Sequence, residues 1–185
     1  MPMDIVIATD KPNYLTSGLI TASSGTYDNA VPTATIPSTT SQTFLVPTNL
    51  GDKPSLLRIQ PFCGAAVAPT SATFSSGGLR VVGWSIYTQT SGTAIYVPTV
   101  LADLALGLTT GTVQSETING TAQYPFSVCT VGAGVPTVNV YNPGASNVEP
   151  CAAVIDLVGM QFVQLQFKAT ASVSTPTMGA FYAFL

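Results

Sequence analysis

The sequence predicts an all-β protein: a jelly-roll-like antiparallel β-sandwich over residues 44–185, preceded by an extended arm over residues 1–43. Three observations predict it. From Phe44 onward, short apolar runs are separated by Gly, Pro, Asn and Ser at the spacing of a sandwich or barrel. The segment Val163-Gln-Leu-Gln-Phe-Lys-Ala169 alternates apolar and polar residues with the period of a strand. The stretch from about Thr9 to Thr43, by contrast, is rich in Ser, Thr, Ala and Pro and only weakly apolar.

In chain order, the arm comes first. Pro12, Pro32 and Pro37 deny it long helices and central strands, so it is either a disordered tail or a segment lying along a neighbouring subunit. Leu56 to Gln60 reads as a strand that ends at Pro61. Leu79-Arg-Val-Val-Gly-Trp-Ser-Ile-Tyr87 is β-branched and aromatic, and Gln89-Thr-Ser-Gly-Thr93 turns it into Ala94-Ile-Tyr-Val97, which makes a hairpin. Val100 to Leu108 puts Val100, Ala102, Leu104 and Leu106 on one parity and Leu101, Asp103 and Ala105 on the other; this is a strand, with a short helix as the alternative. Asn119-Gly-Thr121 reads as turn chemistry.

The period-two segment directs Val163, Leu165 and Phe167 to a core and Gln164, Gln166 and Lys168 to water. The C-terminal Met178-Gly-Ala-Phe-Tyr-Ala-Phe-Leu185 carries Tyr182 and Phe184 on one face and Phe181 on the other. A strand apolar on both faces must be covered twice, either as a central strand of the sandwich or with its second face against a neighbouring subunit.

Composition narrows function. A chain of 185 residues buries roughly 70% of its unfolded surface, enough for one domain without a disulfide or metal staple. Charged residues are only 7% of the chain, against about 25% in an average globular protein. So few charges make a poor surface for a free, concentrated monomer, so a partner is expected to cover much of it. Lys11, Lys53, Arg58, Arg80 and Lys168 are scattered, so no nucleic-acid footprint exists. No apolar run approaches the roughly 20 residues that span a bilayer, and Met1 to Asp10 lacks the basic region and apolar core of a signal peptide.

Catalysis has little to work with. There is no histidine, which removes the commonest general base and the Ser-His-Asp and Cys-His arrangements. The lysines lie in polar or strand-surface contexts, without the apolar setting that activates an amine. The eight carboxylates are spread singly, with no cluster to collect a hard cation. A glycosidase pair would be expected beside several tryptophans, and Trp84 stands alone, reading as a core anchor before a ligand platform. Cys63, Cys129 and Cys151 show no metal-type spacing and are expected to be buried thiols. No enzyme activity, metal or cofactor is therefore expected.

Asp103 and Asp156 are acids embedded in apolar strand sequence, with Arg58 and Arg80 as plausible partners. They form either a solvated strand face or an inter-subunit salt bridge that fixes register between copies. Together with Phe181, Tyr182 and Phe184, these four are the residues expected at an interface.

The segments Leu79 to Tyr87, Ile95-Tyr-Val-Pro98, Leu101-Ala-Asp-Leu-Ala-Leu-Gly-Leu108, Phe162-Val-Gln-Leu-Gln-Phe167 and Ala180-Phe-Tyr-Ala-Phe184 together resemble the small capsid decoration, or cement, proteins of tailed bacteriophages. The likeness lies in composition and strand texture over residues 79–185. It implies a jelly-roll-like sandwich, often a homotrimer, seated on the outer surface of a virion and bound to the major capsid protein at capsomer junctions, adding no chemistry. The arm has no counterpart in that family. Two rival readings are a receptor- or carbohydrate-binding virion module using Tyr87, Tyr96, Tyr124 and Tyr141, and a small jelly-roll coat protein, which this N-terminus disfavours by lacking a basic arm.

Overall fold

The computed structural model describes residues 13–14, 20–21, 44–45, 55–64, 74–107, 116–118, 121–132, 138–141, 150–171 and 177–185. Every regular element among them is a strand. These are β1 (Asn13–Tyr14), β2 (Ile20–Thr21), β3 (Phe44–Leu45), β4 (Leu56–Gly64), β5 (Phe74–Thr88), β6 (Ala94–Gly107) and β7 (Glu116–Ile118), followed by β8 (Thr121–Pro125), β9 (Val128–Val131), β10 (Asn139–Tyr141), β11 (Ala152–Asp156), β12 (Phe162–Ala171) and β13 (Thr177–Phe184).

The strands form two antiparallel sheets packed face to face as a β-sandwich. In the first sheet β4 is central. β13 runs along one of its edges, and the other edge is shared by β11, opposite Leu56–Ile59, and β8, opposite Phe62–Gly64. The second sheet has the order β3-β12-β5-β6-β9. The pairings nest in the jelly-roll-like manner: β4 takes the last strand, β13, as its partner and β5 takes the one before it, β12. Of the segment read as an extended arm, β1 and β2 pair with the far edge of β13, while β3, the first strand after it, pairs with β12. The rest of that segment lies outside the described residues, as does the Asn119-Gly120 pair; on either side of that pair Ile118 and Thr121 face each other across β7 and β8.

Between the sheets lies one apolar core. The first sheet contributes Leu57, Ile59, Cys63, Ala153 and Ile155, and the second contributes Leu79, Val81, Leu104, Leu165 and Phe167. Strand alternation explains the selection, since the residues named on any one strand lie two positions apart or, for Ile59 and Cys63, four. β13 is a central strand, with β4 on one side and β1 and β2 on the other. Tyr182 and Phe184 pack against the core with their rings edge to face at 5.7 Å. Phe181 turns to the opposite face and meets Phe62 at a ring separation of 4.7 Å.

Three details differ from the sequence reading. β4 does not stop at Pro61 but continues to Gly64. The Pro61 carbonyl accepts from Phe126 N–H at 3.0 Å, so the proline nitrogen faces the same edge, where the neighbour changes from β11 to β8 and no donor is required. Gln164 and Gln166 do not face water; they are 3% and 0% exposed. They lie on the face of the second sheet turned away from the core, which is itself apolar: Val82, opposite Gln164, and Trp84, opposite Phe162, are fully buried there, with Tyr96 and Phe162 packed against them. Finally, Leu101 is a β-bulge. Val81 faces Ala102 but Val82 faces Val100, so the parity of β6 changes at Leu101 and Val100 falls on the face opposite Ala102.

Candidate functional site

β5 and β6 outrun the strands that flank them. The ladder between β5 and β12 ends at Trp84 and Phe162, and β9 flanks only Leu104–Gly107 of β6. Beyond Trp84 the hairpin continues as a two-stranded ribbon, Ser85–Thr88 against Ala94–Val97. Gly92 closes the turn at φ 81°, a left-handed conformation that only glycine adopts cheaply, with Gln89 N–H donating to the Thr93 carbonyl at 3.0 Å and Gly92 N–H to the Gln89 carbonyl at 2.8 Å.

The connection from β11 to β12 braces the root of this ribbon. Gln161 N–H donates to the Trp84 carbonyl at 2.8 Å, and the Gln161 side-chain oxygen accepts from Ile86 N–H at 2.9 Å, so one glutamine imitates a further strand residue for two positions. Met160 and Leu101 fold over Gly83. A Cβ at that glycine would collide with the Met160 sulfur and lie 2.7 Å from Leu101 Cδ1.

On the ribbon the two faces differ. Ile86 and Tyr96 are half-buried on the Trp84 side. The other face presents Tyr87, Ile95 and Val97, at 60%, 38% and 39% exposure, with Tyr87 directly opposite Ile95. No residue from 81 to 102 is charged. The outer edge of β6 over residues 94–102 has no strand beside it among the described residues. Trp84, which faces Pro98, directs its carbonyl to Gln161 on the far side of β5, so the Pro98 nitrogen faces the open edge. A proline at that place discourages a further strand from adding there.

The residues singled out from the sequence fall into separate places. Arg80 and Asp103 are directly opposite on β5 and β6 and pair within the chain, with Arg80 Nη2 2.8 Å and Nε 3.2 Å from Asp103 Oδ2. This pair marks the root of the uncharged hairpin. Arg58 and Asp156 are exposed on the outer face of the other sheet, where Asp156 Oδ1 accepts from Val158 N–H at 2.8 Å and so shapes the turn after β11. The four charges therefore do not form one cluster. Of the tyrosines, Tyr124 is buried, Tyr96 half-buried, and Tyr87 and Tyr141 exposed. Apart from Tyr87, named as a ligand-binding candidate, the apolar face of the ribbon was not singled out from the sequence: Ile95 and Val97 have the texture of buried strand residues, and only the overhang of β5 beyond β12 leaves them exposed.

The titratable groups with displaced pKa values lie in or against the core. Burial pushes the Cys63 thiol up to about 12 and raises the Tyr182 phenol. Cys129 is lowered by a hydrogen bond from Cys151, and the same bond, with burial added, raises Cys151. Among the described residues no group of three or more His, Cys, Asp or Glu is placed to hold a metal ion, and no helix is long and apolar enough to cross a membrane. No protein-family model matches the chain, and comparison with curated proteins and with solved structures finds no match.

Proposed function

We propose that the chain is a virion structural protein that decorates a tailed-bacteriophage capsid, bound to the major capsid protein at junctions between capsomers on the outer surface of the shell. The observation that carries this reading is the end of the β5–β6 hairpin, an uncharged ribbon with Tyr87, Ile95 and Val97 exposed on one face. Such a face buries against another protein without stripping water from a charge, and exposed apolar patches of this kind mark interaction sites. A decoration protein needs no catalytic group, and the chain offers no histidine to serve as one. Each contact is small. Repeated symmetric copies add up, and because the protein binds only the assembled form it shifts the equilibrium toward the shell. Self-association as a homotrimer belongs to the same reading, and light scattering after size exclusion is expected to return one discrete trimeric mass.

The test is co-sedimentation of the purified protein with shells of its own virus that lack it, followed by imaging. Saturable binding at a fixed number of copies on the outer surface is the expected result; failure to sediment with the shells overturns it. The exposure of Tyr87 and Tyr141, 60% each, favours a second reading as a carbohydrate- or receptor-binding virion module. A specific hit on a glycan array by a protein that ignores shells is the outcome that would select it.

A further inference from the structure

The two sheets present unlike outer faces. On the second sheet Val82, Trp84, Gln164 and Gln166 are covered. On the first sheet the end toward Gly64 is closed, and Phe62 and Phe181 are buried there against each other. Toward Leu56 the face lies open across β11, β4 and β13. Arg58 stands between Val154 and Ala183, and one row on Asp156 faces Leu56, which exchanges backbone hydrogen bonds of 3.0 and 2.9 Å with Leu185. Alternation along the strands puts these six on the side away from the core. Leu56, Arg58, Asp156 and Leu185 are exposed, and Val154 and Ala183 are half-buried.

Arg58 and Asp156 are diagonal neighbours of opposite sign, yet they do not pair with each other, and neither forms an ion pair with another described residue. We propose that copies of this chain meet through this face, with Arg58 of each copy paired with Asp156 of its neighbour. The contact rests on the self-association put forward above and gives it residues. Charge selects the occupant. A purely apolar partner would strip water from a cation and an anion and return nothing to either. A second copy brings the same two charges at the same spacing, so each ion finds its opposite. The planar guanidinium suits a carboxylate met side on, through two parallel hydrogen bonds. Leu56, Leu185 and Val154 lose water around the pair, while the charges set the register between copies. Passed on from each copy to the next, the contact is head-to-tail, the kind that closes into rings such as a trimer. The hairpin tip belongs to the other sheet and is left for the shell.

The experiment is light scattering after size exclusion on the full chain over a dilution series, with melting temperatures measured alongside. The wild type is expected at the mass of three chains. Arg58→Glu sets two anions against each other across the contact and breaks no hydrogen bond among the described residues, so it is expected to run at the mass of one chain with its melting temperature as a monomer intact. Arg58→Lys keeps the charge and is expected to stay assembled. Asp156→Asn removes the charge but keeps an oxygen for the Val158 N–H, and is expected to fall apart at concentrations where the wild type does not. A wild type that is itself monomeric would overturn the self-association and this contact with it. A trimeric wild type matched by a trimeric Arg58→Glu variant would overturn the contact alone, and if that variant also failed to sediment with shells, the face would belong to the capsid protein instead. Dissociation of Arg58→Lys as complete as that of Arg58→Glu would show that charge is not what joins the copies.

Discussion

The β5–β6 hairpin is one element put to two uses, and its root and tip are hard to tell apart by composition. The root, up to Trp84 on β5, is flanked by β12 and packs Leu79, Val81 and Leu104 into the core on one face and Val82 and Trp84 into a second apolar cluster on the other. The tip, from Ser85 to Val97, has the same β-branched and aromatic texture but lies beyond the flanking strands, so Tyr87, Ile95 and Val97 stay in solvent. Apolar residues that have a neighbour become core, and those that outrun it stay exposed. The difference is set by the length of β12, ten residues against fifteen in β5, rather than by the residues of the hairpin.

Substitutions sharpen this contrast in order of size. At the root, Phe167→Ala removes a fully buried ring from the inter-sheet core and is expected to cost about 3–5 kcal/mol by urea unfolding. Gly83→Ala sets a methyl against Met160 and Leu101 and is expected to cost about 1–3 kcal/mol; Met160→Ala in the same chain should recover part of that, and simple additivity would show that the clash is not the cause.

The pH profile follows from the buried groups. Both Cys63 and Tyr182 have folded-state pKa values raised above their unfolded ones, so the neutral forms are the folded ones. Their contribution to stability is complete below the unfolded values and is lost as pH rises through the folded values. The urea midpoint should therefore start to fall at about pH 9 and keep falling toward pH 12, and Cys63→Ala should shallow the decline. Smaller still is the Arg80–Asp103 pair. Its side chains are about a quarter exposed, and a double-mutant cycle to Ala should give a coupling of about 0.2–1 kcal/mol, weakened by salt. At the tip, Tyr87→Ser with Val97→Ser should move stability by no more than about 0.5 kcal/mol.

How far the sequence revealed this molecule varies from strand to strand. Val163 to Ala169 announced β12 because one face meets the core, and Leu79 to Val97 announced the hairpin through its turn chemistry at Gly92. Pro61 misled because its nitrogen falls where the neighbour of β4 changes from β11 to β8 and no donor is needed, a fact of tertiary pairing. Gln164 and Gln166 misled because polar residues on alternate positions imply a wet face, whereas this face carries Val82 and Trp84 and is covered. The bulge at Leu101 is invisible to a parity count, since it inserts a residue that the count cannot locate. Of the residues expected at an interface, Arg80 and Asp103 are a cross-strand pair within the chain, and the exposed tip, Tyr87 apart, was not singled out because Ile95 and Val97 look in sequence just as buried strand residues do.

As proposed, the tip attaches the chain to the shell and is dispensable for folding. The most direct measurement compares the wild-type chain with the Tyr87→Ser, Val97→Ser double variant by co-sedimentation with the same shells, after equal melting temperatures have been verified. The wild type is expected to saturate the shells while the variant stays in the supernatant. Equal occupancy by the two proteins would contradict it and would place the attachment surface elsewhere on the sandwich.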